Sequence, residues 1–176
     1  MAAAPHRRRI LYVGDLGFGG TSGYRRAALE RIGQEVAVFD PATVLSHSRL
    51  LTKLRFRYPV GPLVARANRA LLQRVREYRP DVVWFDKPLV FTPESLQAIK
   101  AAGALTVCYN QDNPFGPRND GCWMQFYRAH RFFDMHCLFR TVDIPRYTEW
   151  RLPFIKIQLS YDPAAHFPPA GRLERQ

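Results

Sequence analysis

The chain has 176 residues, 47% of them hydrophobic, and a formal net charge of +11. That is room for one domain with a sizeable core, and it excludes an intrinsically disordered chain. No apolar run approaches the ~20 residues that span a bilayer. Residues Met1 to Arg9 are basic with no apolar stretch before Ile10, which argues against a secretory signal and points to the cytoplasm. The three cysteines, Cys108, Cys122 and Cys137, form no Cys-x-x-Cys pair, so reduced and partly buried thiols are expected. The positive balance favours an anionic partner, whether nucleic acid, a phosphorylated substrate or a membrane surface.

Arg9 to Val13 reads as a strand buried on both faces, emptying into a glycine-rich loop from Gly14 to Gly20. Thr21 or Ser22 can cap a helix from about Tyr24 to Ile32, with Gly33 as its stop. Glu35 to Phe39 is a second strand ended by Asp40 and Pro41, which completes a β-α-β unit. Between Arg49 and Arg79 the pattern is helical and very basic, with nine Lys or Arg residues against one acid, Glu77. Pro59 and Pro62 divide this span. Beyond them Val64, Ala67, Leu71, Val75 and Tyr78 recur at helical spacing and predict a buried stripe, with Arg66, Arg69, Arg74 and Arg76 turned away from it.

Pro80 to Phe85 is a third strand, ending in Asp86, Lys87 and Pro88. Thr92 caps the next helix, Pro93 takes its first position and Gly103 closes it. Leu105 to Tyr109 is a fourth strand that turns abruptly polar at Asn110, Gln111, Asp112 and Asn113 before Pro114. Asn119 or Asp120 starts a short helix through Trp123, Phe126 and Tyr127. Met135 to Phe139 is a fifth strand, followed by Arg140 and Thr141 and a helical piece from Ile144 to Trp150. Phe154 to Leu159 is a sixth, its alternation of Ile155, Ile157 and Leu159 against Lys156 and Gln158 predicting an edge position. The alternation of strands and helices predicts an α/β, Rossmann-like, doubly wound and mostly parallel sheet of about six strands, with helices on both faces. The domain is expected over residues 1–161, and residues 162–176, rich in turn formers, read as a linker.

In such a sheet the residues after each strand fall on one rim, where ligands bind. Gly14, Asp15, Gly17, Gly19, Gly20, Lys87, Asn110, Gln111, Asn113 and Arg140 are the candidate substrate-binding residues. The glycines let backbone approach a ligand, and the following helix offers free N–H groups to an anion. Lys87 and Arg140 suit phosphate or a sugar carboxylate. Asp112 is the candidate catalytic base for a hydroxyl, the alternative being an Asx-turn ahead of Pro114. The dinucleotide fingerprint fails at Ser22, although Asp40 stands where a ribose-binding acid would, so an NAD-dependent enzyme remains a minor alternative. His130 and His136 make no metal-ligand pattern with Cys137, and no metal is expected. The basic span from Arg49 to Arg79 suits an anionic membrane or a phosphorylated acceptor. No RNA-binding pattern of aromatic and basic residues appears, which sets nucleic acid aside.

Four stretches carry a resemblance: the glycine loop, Arg79 to Trp84, the lone Lys87, and Tyr109 to Phe115. Together with Gln158 to Phe167 they resemble the N-terminal, acceptor-side domain of CgeB-like glycosyltransferases of the GT-B fold, a group similar to glycosyltransferase family 4. The resemblance implies a two-domain enzyme that moves a sugar from a nucleotide-sugar donor to a hydroxyl acceptor, with the nucleotide sugar as co-substrate and no separate cofactor. It implies that the donor-binding C-terminal domain lies beyond this sequence, so that the chain alone transfers no sugar. Where the family pattern has paired acids, this sequence has Asn110 to Asn113, with Asp112 alone. The rival expectation is a non-catalytic sugar- or anion-binding module.

Overall fold

The computed structural model describes residues 6–17, 21–45, 48–116 and 121–158. Six strands lie in one sheet: β1 (Arg9–Val13), β2 (Glu35–Phe39), β3 (Val82–Asp86), β4 (Leu105–Tyr109), β5 (Met135–Leu138) and β6 (Phe154–Lys156). Their order is β2-β1-β3-β4-β5-β6, and every pairing is parallel. Six helices connect them: α1 (Ser22–Arg31), α2 (Arg49–Arg57), α3 (Pro62–Tyr78), α4 (Pro93–Ala101), α5 (Met124–Ala129) and α6 (Ile144–Glu149). The architecture is α/β and Rossmann-like, as the alternation of strand and helix patterns predicts.

The strand order fixes where a ligand can sit. From β1 the chain moves outward to β2, then returns past β1 to lay down β3 on the other side. The connections after β1 and β3 therefore leave in opposite directions, which opens a crevice beyond their carboxyl ends. Gly14 ends β1 at that point. A Cβ there would stand 3.0 Å from the Asp86 Cβ and 3.1 Å from the Tyr12 ring, so a larger residue would have to push the two strand ends apart by a few tenths of an ångström.

The core is built from the strand interiors and one helix. Leu11, Val13, Val83 and Phe85 are buried, and α3 packs Val64, Ala67, Leu71 and Val75 into the same cluster. Four of the five stripe residues read from sequence are thus buried, while Tyr78 packs at the margin and donates its hydroxyl to the Glu35 carbonyl. Arg66, Arg69 and Arg76 are exposed. One buried polar residue on α3 carries a structural bond that periodicity does not reveal. Asn68 donates Nδ2 to the carbonyls of Val64 and Val90, and its Oδ1 accepts from Thr92 N at 3.0 Å. It pins the β3–α4 connection to α3.

Two local expectations need correction. Thr21 is the residue before α1, yet its hydroxyl makes no capping bond; it donates to Gln111 instead. Strand β6 takes the expected edge position but is three residues long, with Ile155 47% exposed, because an edge strand packed on one side keeps β pairing only as far as β5 reaches. The helix after β4 is described from Met124, and its expected start at Asn119 or Asp120 lies outside the described residues. The expected linker lies outside them as well. Among the described residues, no helix is long and apolar enough to cross a membrane, and Cys108, Cys122 and Cys137 are buried and form no disulfide with one another.

Candidate functional site

The crevice at the β1/β3 switch point opens into a cleft of about 590 Å³. Gly14, Asp15 and Gly17 contribute from the end of β1, Lys87 from β3 and Gln111 from β4. Thr21 and Ser22, at the start of α1, face the same space.

Two ion pairs organise this rim, and they differ in kind. The first is deep. Asp86 ends β3 with its side chain 1% exposed, and Arg25, in the first turn of α1, reaches it with Nε and Nη2, each 2.7 Å from Oδ2. The Tyr12 hydroxyl donates to the same oxygen. The Arg25 guanidinium also lies 4.6 Å from the centre of the Tyr109 ring, and it donates to Thr21 Oγ1 at 3.0 Å and Gln111 Oε1 at 3.4 Å. Burial opposes the Arg25 charge, but Asp86 outweighs that and raises its pKa above the ordinary value. Burial first, then the Asp86 charge, pushes the Tyr12 hydroxyl upward, so Tyr12 stays protonated as a donor. This unit joins β1, β3, β4 and α1 beneath the cleft.

The second pair is shallow. Lys87 Nζ stands 2.5 Å from Asp112 Oδ2, with the side chains 34% and 43% exposed. Lys87 is also one of three non-glycine residues at positive φ among those described, at +55°. That left-handed backbone costs on the order of 1 kcal/mol for a residue with a Cβ, and it is held by the bond from Lys87 N to the Tyr109 carbonyl at 2.9 Å. The conformation sends the strand end into the cleft wall.

The polar turn after β4 divides its work. Asn110 is 4% exposed, and its Oδ1 accepts from Asp112 N at 3.3 Å. Asn113 Oδ1 accepts from Phe115 N at 2.9 Å. These two asparagines make the Asx-type bonds that hold the turn. The carboxylate of Asp112, expected either as a base or as an Asx-turn acceptor, points to Lys87.

Of the sequence candidates, the structure gathers Gly14, Asp15, Gly17, Lys87 and Gln111 around one cleft, with Asp112 bonded to Lys87 at its lip. Asn110 and Asn113 shape the turn from behind. Arg140 is not part of the cleft lining; it lies beyond β5, 3.6 Å from Asp143, because β4 separates β5 from the switch point. Gly19 and Gly20 lie outside the described residues. The Asp40 carboxylate, considered for a ribose-binding role, accepts from Ala42 N at 2.8 Å and Leu16 N at 3.3 Å and so caps the turn after β2.

Sequence reasoning missed Arg25 and Tyr12. A signal existed for Arg25. A cation in the first turn of a helix opposes the macrodipole, so an arginine there implies a carboxylate partner close by. His130 and His136 serve the core instead of the rim. His136 Nε2 lies 2.9 Å from the His130 carbonyl, and burial pushes its pKa down to about 4.

No family model matches the chain, and no curated protein matches it. Among solved structures, one described as "Crystal Structure of TesA" is 17% identical, with a TM-score of 0.38, over 68% of this chain and 70% of that one. A likeness of that size says nothing about what the cleft binds.

Proposed function

We propose that this chain is the acceptor-side half of a GT-B-type sugar transferase, resembling the CgeB-like enzymes, with its cleft facing a donor-binding domain. The single observation that supports this best is the convergence of Gly17, Lys87 and Gln111 on one cleft with the Asp112 carboxylate at its lip. In this reading an acceptor hydroxyl enters between the glycine loop and Lys87. Asp112 takes the hydroxyl proton as the oxygen attacks the anomeric carbon of the donor. The new C–O bond forms while the sugar–phosphate bond breaks, and the nucleotide diphosphate leaves with that electron pair. Lys87 then turns from Asp112 to an anionic group of the substrate. Gly14 and Gly17 offer backbone without side-chain obstruction, and Arg25 with Asp86 holds the floor.

The half-cleft is open, and reacting atoms must be held ~3–3.5 Å apart in a water-poor site. The isolated chain therefore transfers no sugar. The basic helix α2 leaves Leu50, Leu51 and Leu54 exposed beside Arg49 and Lys53, which supports a resting position on an anionic membrane surface. The test is to express the coding frame through to its own stop codon and supply a panel of nucleotide sugars and hydroxyl acceptors. Acceptor-dependent nucleotide release, lost in Asp112→Asn, is the expected result. No release with any donor, or binding of NAD in the same cleft, overturns the proposal.

A further inference from the structure

The cleft has two unlike walls. One is the strand rim, made of backbone and polar side chains. The other is apolar, with Leu45, Phe56, Pro59, Leu89, Val90 and Phe91 along it. Arg55 lies in that second wall, next to Phe56 on α2.

The cations around the rim already have carboxylates. Arg25 has Asp86, Lys87 has Asp112 and Arg140 has Asp143. Arg55 has none among the described residues. Burial alone moves its pKa, downward, with no charge or hydrogen bond opposing it. The carboxylates that line the cleft do not answer it: Asp86 is matched by Arg25, and Asp15 is exposed and accepts the Gly17 N–H at 2.8 Å. A guanidinium partly withdrawn from water is a fork of donors awaiting a planar or tetrahedral oxyanion. Its neighbours are apolar, so the molecule that brings the anion must also bring an apolar body.

We infer that the cleft binds an amphiphilic anion, with its phosphate or carboxylate on Arg55 and its apolar portion along Leu45, Phe56, Leu89 and Val90. As a statement of acceptor class this rests on the sugar-transfer reading; as a binding site it rests on the cleft alone. Arg55 is then the specificity residue that separates charged from neutral acceptors.

The test is calorimetric titration of the 176-residue chain with octyl phosphate, octanoate and octyl β-glucoside below their micelle concentrations, for the native chain and Arg55→Met. Octyl phosphate or octanoate should bind the native chain and bind Arg55→Met at least tenfold more weakly, while octyl β-glucoside changes less than twofold. The tighter of the two anions identifies the headgroup. Equal affinity of both anions for the two proteins, or no binding to the native chain, overturns the inference. A second readout on the native chain is phenylglyoxal modification of Arg55 followed by mass spectrometry: the preferred anion should protect Arg55 and octyl β-glucoside should not, and no protection by either anion overturns the inference. The two readings fail separately. Arg55-dependent anion binding in a full-length protein that transfers no sugar leaves the anion site standing and removes the transferase; sugar transfer to a neutral acceptor with no anion binding does the reverse.

Discussion

The two ion pairs at the rim make a quantitative contrast. Arg25→Ala removes both Nε and Nη2 contacts at 2.7 Å from a carboxylate whose side chain is 1% exposed. Removing one partner of a buried pair typically costs about 3–5 kcal/mol, because the remaining charge is left without compensation. The lost contact with the Tyr109 ring adds about 0.5–1 kcal/mol at a partly exposed site. Domains of this kind have about 5–15 kcal/mol in total, so the variant should lose roughly a quarter or more of its stability, with Tm falling on the order of 10 °C. Asp112→Asn breaks a pair of similar length that is 34% and 43% exposed, and such pairs contribute about 0–1 kcal/mol. Urea denaturation followed by circular dichroism measures both. The combined Arg25→Met and Asp86→Leu protein should recover part of the single-variant loss, since both charges leave together. If Arg25→Ala costs no more than Asp112→Asn, the deep pair does not hold the rim and the reasoning fails.

Acid should destabilise the protein through His136. Its folded pKa of about 4 lies below the ordinary 6.5, so the unfolded chain binds the extra proton first as pH falls. The stability held above pH 6.5 is then lost progressively down to about pH 4, by on the order of 3 kcal/mol. His136→Leu should flatten that slope in denaturation curves taken across the window; an unchanged slope refutes the assignment. Gly121→Ala should cost at least ~2 kcal/mol, since residue 121 has a φ of +79° and a Cβ there would stand 2.1 Å from the Arg57 carbonyl oxygen. A melting temperature within 1–2 °C of the native one, roughly the effect of a neutral change, contradicts the close approach. Lys87→Gly should keep or raise stability by up to about 1 kcal/mol, because it relieves the left-handed backbone at that residue. It should at the same time reduce binding of anionic ligands, and calorimetry beside a thermal melt separates the two effects.

The sheet was legible because its strands are short apolar runs closed by turn residues. Arg9 to Val13 and Leu105 to Tyr109 are delimited to the residue, and a parallel order follows from the helical pattern between them. Edge strand β6 was read too long because the alternation at Ile155, Ile157 and Leu159 continues in the sequence after β5, its partner among the described residues, has ended. The rim was legible as a set of polar residues after strands, since topology alone brings those ends together. What spacing could not supply was the pairing. Asp86 and Lys87 are adjacent in sequence yet face different partners, because the chain leaves β3 at Asp86 and Lys87 turns at a φ of +55°; one meets Arg25 and the other Asp112. Asn68 and Arg55 were hidden for a related reason. Each lies in a helical stretch read for its apolar period or its charge, and only the folded chain shows Asn68 bonded to the β3–α4 connection and Arg55 in the cleft wall.

Amide chemical-shift mapping tests the central claim most directly, namely that the β1/β3 rim is where this protein meets its ligand. The isotope-labelled chain would be titrated with octyl β-glucoside and octyl phosphate while every assigned amide is followed. The account predicts shifts confined to the cleft, at Gly14, Gly17, Lys87 and Gln111 on the strand rim and, with octyl phosphate, at Arg55, Phe56, Leu89 and Val90 on the facing wall, and none at Arg9, Asp81 or Asp134 at the opposite end of the sheet. Shifts centred on those opposite-end residues, or on Tyr127 and Trp150, would contradict it.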